Sequence, residues 1–135
     1  SERVNFENVK FNAVSKNLNF KNPQSGIDVN YTKNLITDWF NNNIKTDGLE
    51  GTLNVVVNSI DIKKTREDEY YKFEINLSIE FTEINQILNK SKTYKVNSLD
   101  YGDIQGSFSI NDIENLNKNI ILKSLQNINK KIIQM

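Results

Sequence analysis

A chain of 135 residues with 17 basic and 17 acidic side chains has no net charge to draw it toward nucleic acid. It contains no cysteine and no histidine. That removes thiolate nucleophiles, disulfides, imidazole acid–base chemistry and every cysteine or histidine metal site. The length suits a single domain over residues 1–135, with a core that needs neither disulfide nor metal. No apolar run approaches the ~20 residues that cross a bilayer. The chain opens on Ser1-Glu2-Arg3 with no signal sequence in view, as expected of a mature or truncated piece. Ala13 is the only alanine, whereas Asn, Ile and Lys abound. The asparagines are dispersed among periodic apolar residues, so they read as compositional bias and not as a prion-like tract.

Val4 to Asn12 alternates weakly, and Leu18 and Phe20 echo it; a first strand is expected here. The loop Lys21-Asn22-Pro23-Gln24-Ser25-Gly26 holds the one proline and breaks the pattern. Asp28 or Ser25 is then placed to cap a helix. Val29, Leu35, Ile36, Trp39, Phe40 and Ile44 lie on one side of that helix at spacings of three and four, and Gly48 is a terminator. After Gly51 a second strand puts Leu53, Val55 and Val57 on one face, then Ile60 and Ile62 on the other parity. Either a bulge near Asn58-Ser59 restores the face, or the strand is buried on both sides, a reading that Val56 fits. A polar turn at Thr65 to Glu69 leads into a third strand, Tyr70 to Glu83. There Tyr71, Phe73, Ile75, Leu77, Ile79 and Phe81 alternate with polar residues. At about 3.3 Å per residue this strand reaches roughly 40 Å, long enough to call for a twisted or curved sheet.

Ile84 to Lys92 reads either as a helical turn or as an irregular link. A fourth strand follows from Thr93 to Tyr101 with Tyr94 and Val96 inside, and Gly102 and Gly106 mark turns. Ser109 opens the clearest helix, with Asp112 at capping-box spacing. Ile110, Ile113, Leu116, Ile120, Ile121, Leu125, Ile128 and Ile132 form its apolar stripe, and its lysines gather toward the end, as the helix dipole favours. At 1.5 Å per residue it spans about 39 Å and matches the long strand it would cover. The expected fold is α+β: an antiparallel, curved sheet of about four strands with two helices on one face, in the order β-α-β-β-β-α.

Few residues invite chemistry. Glu67, Asp68 and Glu69 are adjacent and diverge, which suits a solvated turn better than a cation site. Asp100 and Asp103 flank Gly102 in LDYGDIQG beside Tyr101, a more site-like loop that turn chemistry also explains. The lysines of the last helix suit a solvated face better than anionic lipid. Glu74 and Glu80 lie on the wet face, and phosphate loops and nucleophile elbows are absent. No enzyme, cofactor or metal is therefore expected. Trp39, Phe40, Phe81 and Tyr101 are the candidate ligand-binding residues, should the helices and a cupped sheet enclose a cavity for a lipid or small apolar ligand. That cavity is the alternative reading; the leading one is a sheet edge that takes a protein partner by strand addition.

Thr37-Asp38-Trp39 in a helix, Gly48, Gly51 before a valine-rich strand, Tyr70-Tyr71, Leu116-Asn117 and Leu125 to Asn129 together resemble small uncharacterised outer-membrane lipoproteins of alphaproteobacteria. The likeness runs from about Asn30 to the end and lies in order and spacing. That group is broadly similar to the lipoprotein that plugs the lipopolysaccharide-assembly barrel and to auxiliary lipoproteins of lipid-transport ABC systems. It implies a non-enzymatic periplasmic domain, anchored to the outer membrane only by a lipid outside this stretch. Its partner would be an envelope protein or lipid. It implies no catalytic residues. The chain departs from the group in having no cysteine to lipidate, and in favouring lysine and asparagine over arginine and alanine.

Overall fold

The computed structural model describes residues 5–21 and 24–135, so Val4, Asn22 and Pro23 of the sequence reading lie outside the described residues. The elements run β1 (Val9–Phe11), β2 (Ser15–Phe20), α1 (Ile27–Asn43), β3 (Ile44–Thr46), β4 (Thr52–Glu67), β5 (Tyr70–Asn85), β6 (Lys90–Gln105) and α2 (Ile110–Ile133). A four-stranded sheet has the order β2-β4-β5-β6, and β1 pairs with β3 in a separate two-stranded ribbon. The β4–β5–β6 meander is antiparallel, while β2 joins β4 in parallel. This is the expected α+β class, with a sheet that is mostly antiparallel and not wholly so.

The alternation in β5 sets the layer arrangement. Tyr71, Phe73, Ile75, Leu77, Ile79 and Phe81 are all buried, and the residues between them face outward. In β4 the register shifts between Val57 and Ser59, so Asn58 is the extra residue of a bulge. The bulge keeps Leu53, Val55, Val57 and Ile60 on one buried face and lets the strand bend, as the parity slip implied. Both helices cover that face. Trp39 of α1 meets the Phe81 ring edge-on at 6.3 Å between centroids, and Tyr71 Oη donates to Asn117 Oδ1 of α2 at 2.8 Å. Helix α2 packs chiefly on β5 and β6. Its N-terminus carries the full Ser109–Asp112 capping box.

Several local expectations change. The weakly alternating N-terminal segment divides into β1 and β2, because Ala13 and Val14 turn the chain and send β2 to the main sheet. Neither Asp28 nor Ser25 caps α1. Gly26 occupies the N-cap without a side-chain bond, and Asp28 sits in the first turn, ion-paired with Lys64. Gly48 does not end the helix either. Helix α1 stops at Asn43 because Ile44 turns extended to pair with Val9 in the ribbon. The carbonyls at that end are met by Lys16 of β2, whose Nζ donates to Phe40 O and Ile44 O at 2.7 Å. Burial, with the Lys45 charge second, lowers the Lys16 pKa. The role of Gly48 is close approach: a Cβ there would stand 2.7 Å from the Ala13 backbone nitrogen.

The ambiguous segment after Ile84 is the β5–β6 hairpin turn, with Asn89 left-handed at φ 51° and Ile87 and Leu88 exposed. The largest correction concerns LDYGDIQG. It is no loop: β6 continues through it to Gln105, and Gly102 pairs with Phe73 in mid-strand. A Cβ on Gly102 would lie 2.8 Å from Ile120 Cδ1 and 3.0 Å from Leu116 Cδ1, so glycine lets α2 settle onto the strand. Ile110 also leaves the apolar stripe, exposed in the first turn of α2 where the helix starts beyond the sheet.

Candidate docking edge

Trp39, Phe40 and Phe81 are buried in the core, and Tyr101 stands apart on the outer face of β6, 63% exposed. Side chains pack around all three core residues, and Phe81 also borders a hollow of about 210 Å³ with Phe11, Tyr94 and Ile132. Phe11 of the ribbon stacks on Phe81 at 5.8 Å and 9°, Trp39 closes on the same ring, and Lys16 Nζ lies 4.6 Å over Phe40. Trp39 Nε1 donates to Asn129 Oδ1 at 2.9 Å, and Asn129 Nδ2 donates onward to the Glu7 carbonyl at 2.9 Å. One asparagine thus ties α1, α2 and the N-terminal segment together. Burial raises the Tyr71 pKa, against the opposing effects of its Asn117 bond and the Lys64 charge. Hollows elsewhere lie at the surface. One of about 160 Å³ is bounded by Phe20, Val29 and Ile60 beside the β4 bulge, and one of about 620 Å³ by Ile84, Leu88 and Lys92 at the β5–β6 turn. Among the described residues, no three His, Cys, Asp or Glu side chains gather as a metal cluster. No described helix is long and apolar enough to cross a membrane.

The feature that stands out is the edge of β6, which no strand among the described residues covers. β6 is sixteen residues long, ends the sheet order, and pairs with β5 without one register shift from Asn85↔Lys90 to Tyr70↔Gln105. Natural edge strands are commonly shortened, bulged or broken by proline to stop foreign strands from pairing. β6 has none of these devices; its defences are charge, at Lys90, Lys92 and Lys95 near one end and Asp103 near the other, and the reach of Lys131 from α2 to the Asn97 carbonyl.

Which backbone groups face outward follows from the pairing. Gly106 N–H donates to the Glu69 carbonyl at 2.8 Å, so residues 69 and 106 form a hydrogen-bonded pair. Antiparallel pairs alternate, so the even residues of β6 bond to β5. Thr93, Lys95, Asn97, Leu99, Tyr101 and Asp103 therefore turn their N–H and C=O groups to the open edge. The Asn97 carbonyl agrees, since Lys131 Nζ reaches from α2 to cap it.

The side chains divide by the same parity. On the helix side Val96 is apolar, but Ser98 and Asp100 are buried polar residues. Ser98 Oγ donates to Asp100 Oδ2 at 2.5 Å and Asn127 Nδ2 to Asp100 Oδ1 at 2.8 Å, so both carboxylate oxygens have partners. On the outer side most residues are polar, with a Thr82–Thr93 hydroxyl pair at 3.1 Å and a Lys95–Glu80 ion pair at 3.6 Å. Leu99 and Tyr101 interrupt this polar surface, 60% and 63% exposed, and Lys72 Nζ stands 4.8 Å over the Tyr101 ring. Sequence reading selects Tyr101 as the last residue of the fourth strand, beside a loop at Gly102. It missed Leu99, whose signal was its position two residues earlier on the same strand face.

No protein-family profile and no curated protein sequence matches the chain. Solved structures with a similar course include a Caulobacter crescentus protein assigned as a lipoprotein. It has 9% identity and a TM-score of 0.43 over 85% of this chain and 83% of that one. A minor lipoprotein of Acinetobacter baumannii has 10% identity and a TM-score of 0.42 over 88% and 87%. A Xanthomonas campestris protein of the DUF330 family has 9% identity and a TM-score of 0.46 over 95% and 90%.

Proposed function

We propose that this chain is a non-catalytic docking domain of the bacterial cell envelope. In this reading it is the periplasmic part of an outer-membrane lipoprotein, and it takes an extended segment of a protein partner along the free edge of β6. The observation that carries the proposal is the uninterrupted sixteen-residue edge. Strand addition there satisfies the outward N–H and C=O groups from Thr93 to Asp103 in one step, and main-chain bonds supply affinity without catalysis. Leu99 and Tyr101 give the added strand an apolar contact on the outer face. The envelope placement draws on the resemblance carried by Thr37-Asp38-Trp39, Gly48, Gly51 and Tyr70-Tyr71.

A photo-reactive residue at Tyr101 in the full-length gene, expressed in its own bacterium, tests both elements. Leu99→Pro removes one outward N–H and leaves the β5–β6 bonds of the even residues in place, so it blocks an incoming strand while the sheet persists. The expected result is a crosslink to protein in the envelope fraction that Leu99→Pro abolishes with circular dichroism unchanged. Crosslinks that survive Leu99→Pro contradict edge docking, and a cytosolic product contradicts the envelope placement.

A further inference from the structure

The β6 edge is complementary to itself, and we infer that the strand it takes is β6 of a second copy of this chain. The inference rests on the docking reading above and names its partner. Outward backbone groups belong to the odd residues, so an antiparallel pair of β6 strands must match odd with odd. A two-fold axis at Leu99 does this, setting Leu99 against Leu99, Asn97 against Tyr101, Lys95 against Asp103 and Thr93 against Gln105 of the other copy.

Three independent features agree at that register. The charges match: each Lys95 faces an Asp103, twice per dimer by symmetry. Beyond them, the Lys90–Lys92 end of each strand lies beside the end of the other copy where Glu69 pairs with Gly106 and Asp68 forms the β4–β5 tip. A parallel arrangement would set like charges together instead. The apolar surface matches as well. Leu99 and Tyr101, the exposed large apolar side chains of β6, come together at the axis, where each Tyr101 lies diagonal to the opposite Leu99. The helices fit too. Helix α2 rides on β5 and β6, so its two copies would stand about two strand spacings apart, or roughly 10 Å. That is a normal helix–helix distance. The contact joins two four-stranded sheets into one, with the axis through its centre. Lys131 must release the Asn97 carbonyl, which then accepts from the backbone N–H of the opposite Tyr101.

Sedimentation equilibrium of the purified chain over a wide concentration range tests the inference. The wild type is expected to form a dimer, and Leu99→Pro to remain monomeric with an unchanged circular dichroism spectrum. Lys95→Asp and Asp103→Lys each oppose like charges at two places, so each should weaken the dimer roughly three- to tenfold. The Lys95→Asp/Asp103→Lys double variant, or an equimolar mixture of the two single variants, should recover dimerisation. A wild type that stays monomeric at millimolar concentration, a dimer untouched by Leu99→Pro, or a double variant no better than the singles overturns the inference. The docking reading has a separate fate: a monomer that still gives Leu99→Pro-sensitive crosslinks to a different envelope protein preserves docking and refutes self-pairing.

Discussion

Phe81→Ala should lower stability by about 3–5 kcal/mol, read as a fall in the urea midpoint at unchanged slope. Phe81 is fully buried and is the meeting point of three parts of the fold: the ring of Phe11 stacks on it, Trp39 approaches it edge-on, and its own strand runs through the middle of the sheet. Truncation therefore removes more than transfer free energy. It opens a void bounded by rings that cannot collapse together without moving the β1–β3 ribbon or α1, and it removes two aromatic contacts worth about 0.5–1.5 kcal/mol each beyond burial. Phe81→Leu keeps most of the volume and should recover more than half of the loss. A cost below about 1 kcal/mol for Phe81→Ala would mean that the ring does not hold these elements together.

Asn129→Leu should cost about 1–3 kcal/mol although it adds apolar surface to the core. It strands the buried Trp39 indole N–H, with a penalty of about 1–3 kcal/mol, and breaks a part-buried bond to the carbonyl of the exposed Glu7, which water can replace. A double-mutant cycle separates this from simple misfit. With Trp39→Phe in the background there is no indole N–H to strand, so Asn129→Leu should cost about 1 kcal/mol less or better still. Equal costs in the two backgrounds would assign the effect to shape and not to the hydrogen bond.

The elements most legible in the sequence were those in which one period ran long enough to outweigh local irregularity. The β5 alternation fixed which side of the sheet is dry, the parity slip before Ser59 located the bulge, and Ser109 with Asp112 marked the start of α2. Short elements carried no such signal. β1 and β3 have three residues each, and β2 mixes apolar and polar residues at a sheet margin, so neither the ribbon nor the parallel β2–β4 pairing was visible. β6 was shortened for a different reason. Its inward positions Ser98, Asp100 and Gly102 are not apolar, because α2 supplies Asn127 to the carboxylate and needs the space that glycine leaves. Polar residues beside a glycine then read as a turn.

The candidate site was legible in kind and not in place. Strand addition at an edge could be named from a one-sided sheet, but which strand forms the edge depends on pairing order, and local sequence does not encode that. Trp39 and Phe40 lie on the apolar side of a helix, which favours core packing over a ligand cavity, and they are core residues; Tyr101 proves to lie on the open strand. Leu99 is ordinary in sequence. It gains meaning only when the odd parity of the free backbone groups puts it in the centre of the edge.

The measurement that tests the central claim most directly is residue-resolved amide hydrogen exchange along β6, in the dilute chain and in its complex. In the dilute chain the odd amides, including Leu99, Tyr101 and Asp103, should exchange quickly, while Val96, Ser98, Asp100 and Ile104 are protected by β5. When the edge is occupied, the odd amides should become protected as well, and the even amides should change little. Odd amides already slow in the dilute chain, or still fast in the complex, would contradict a free β6 edge that takes a strand.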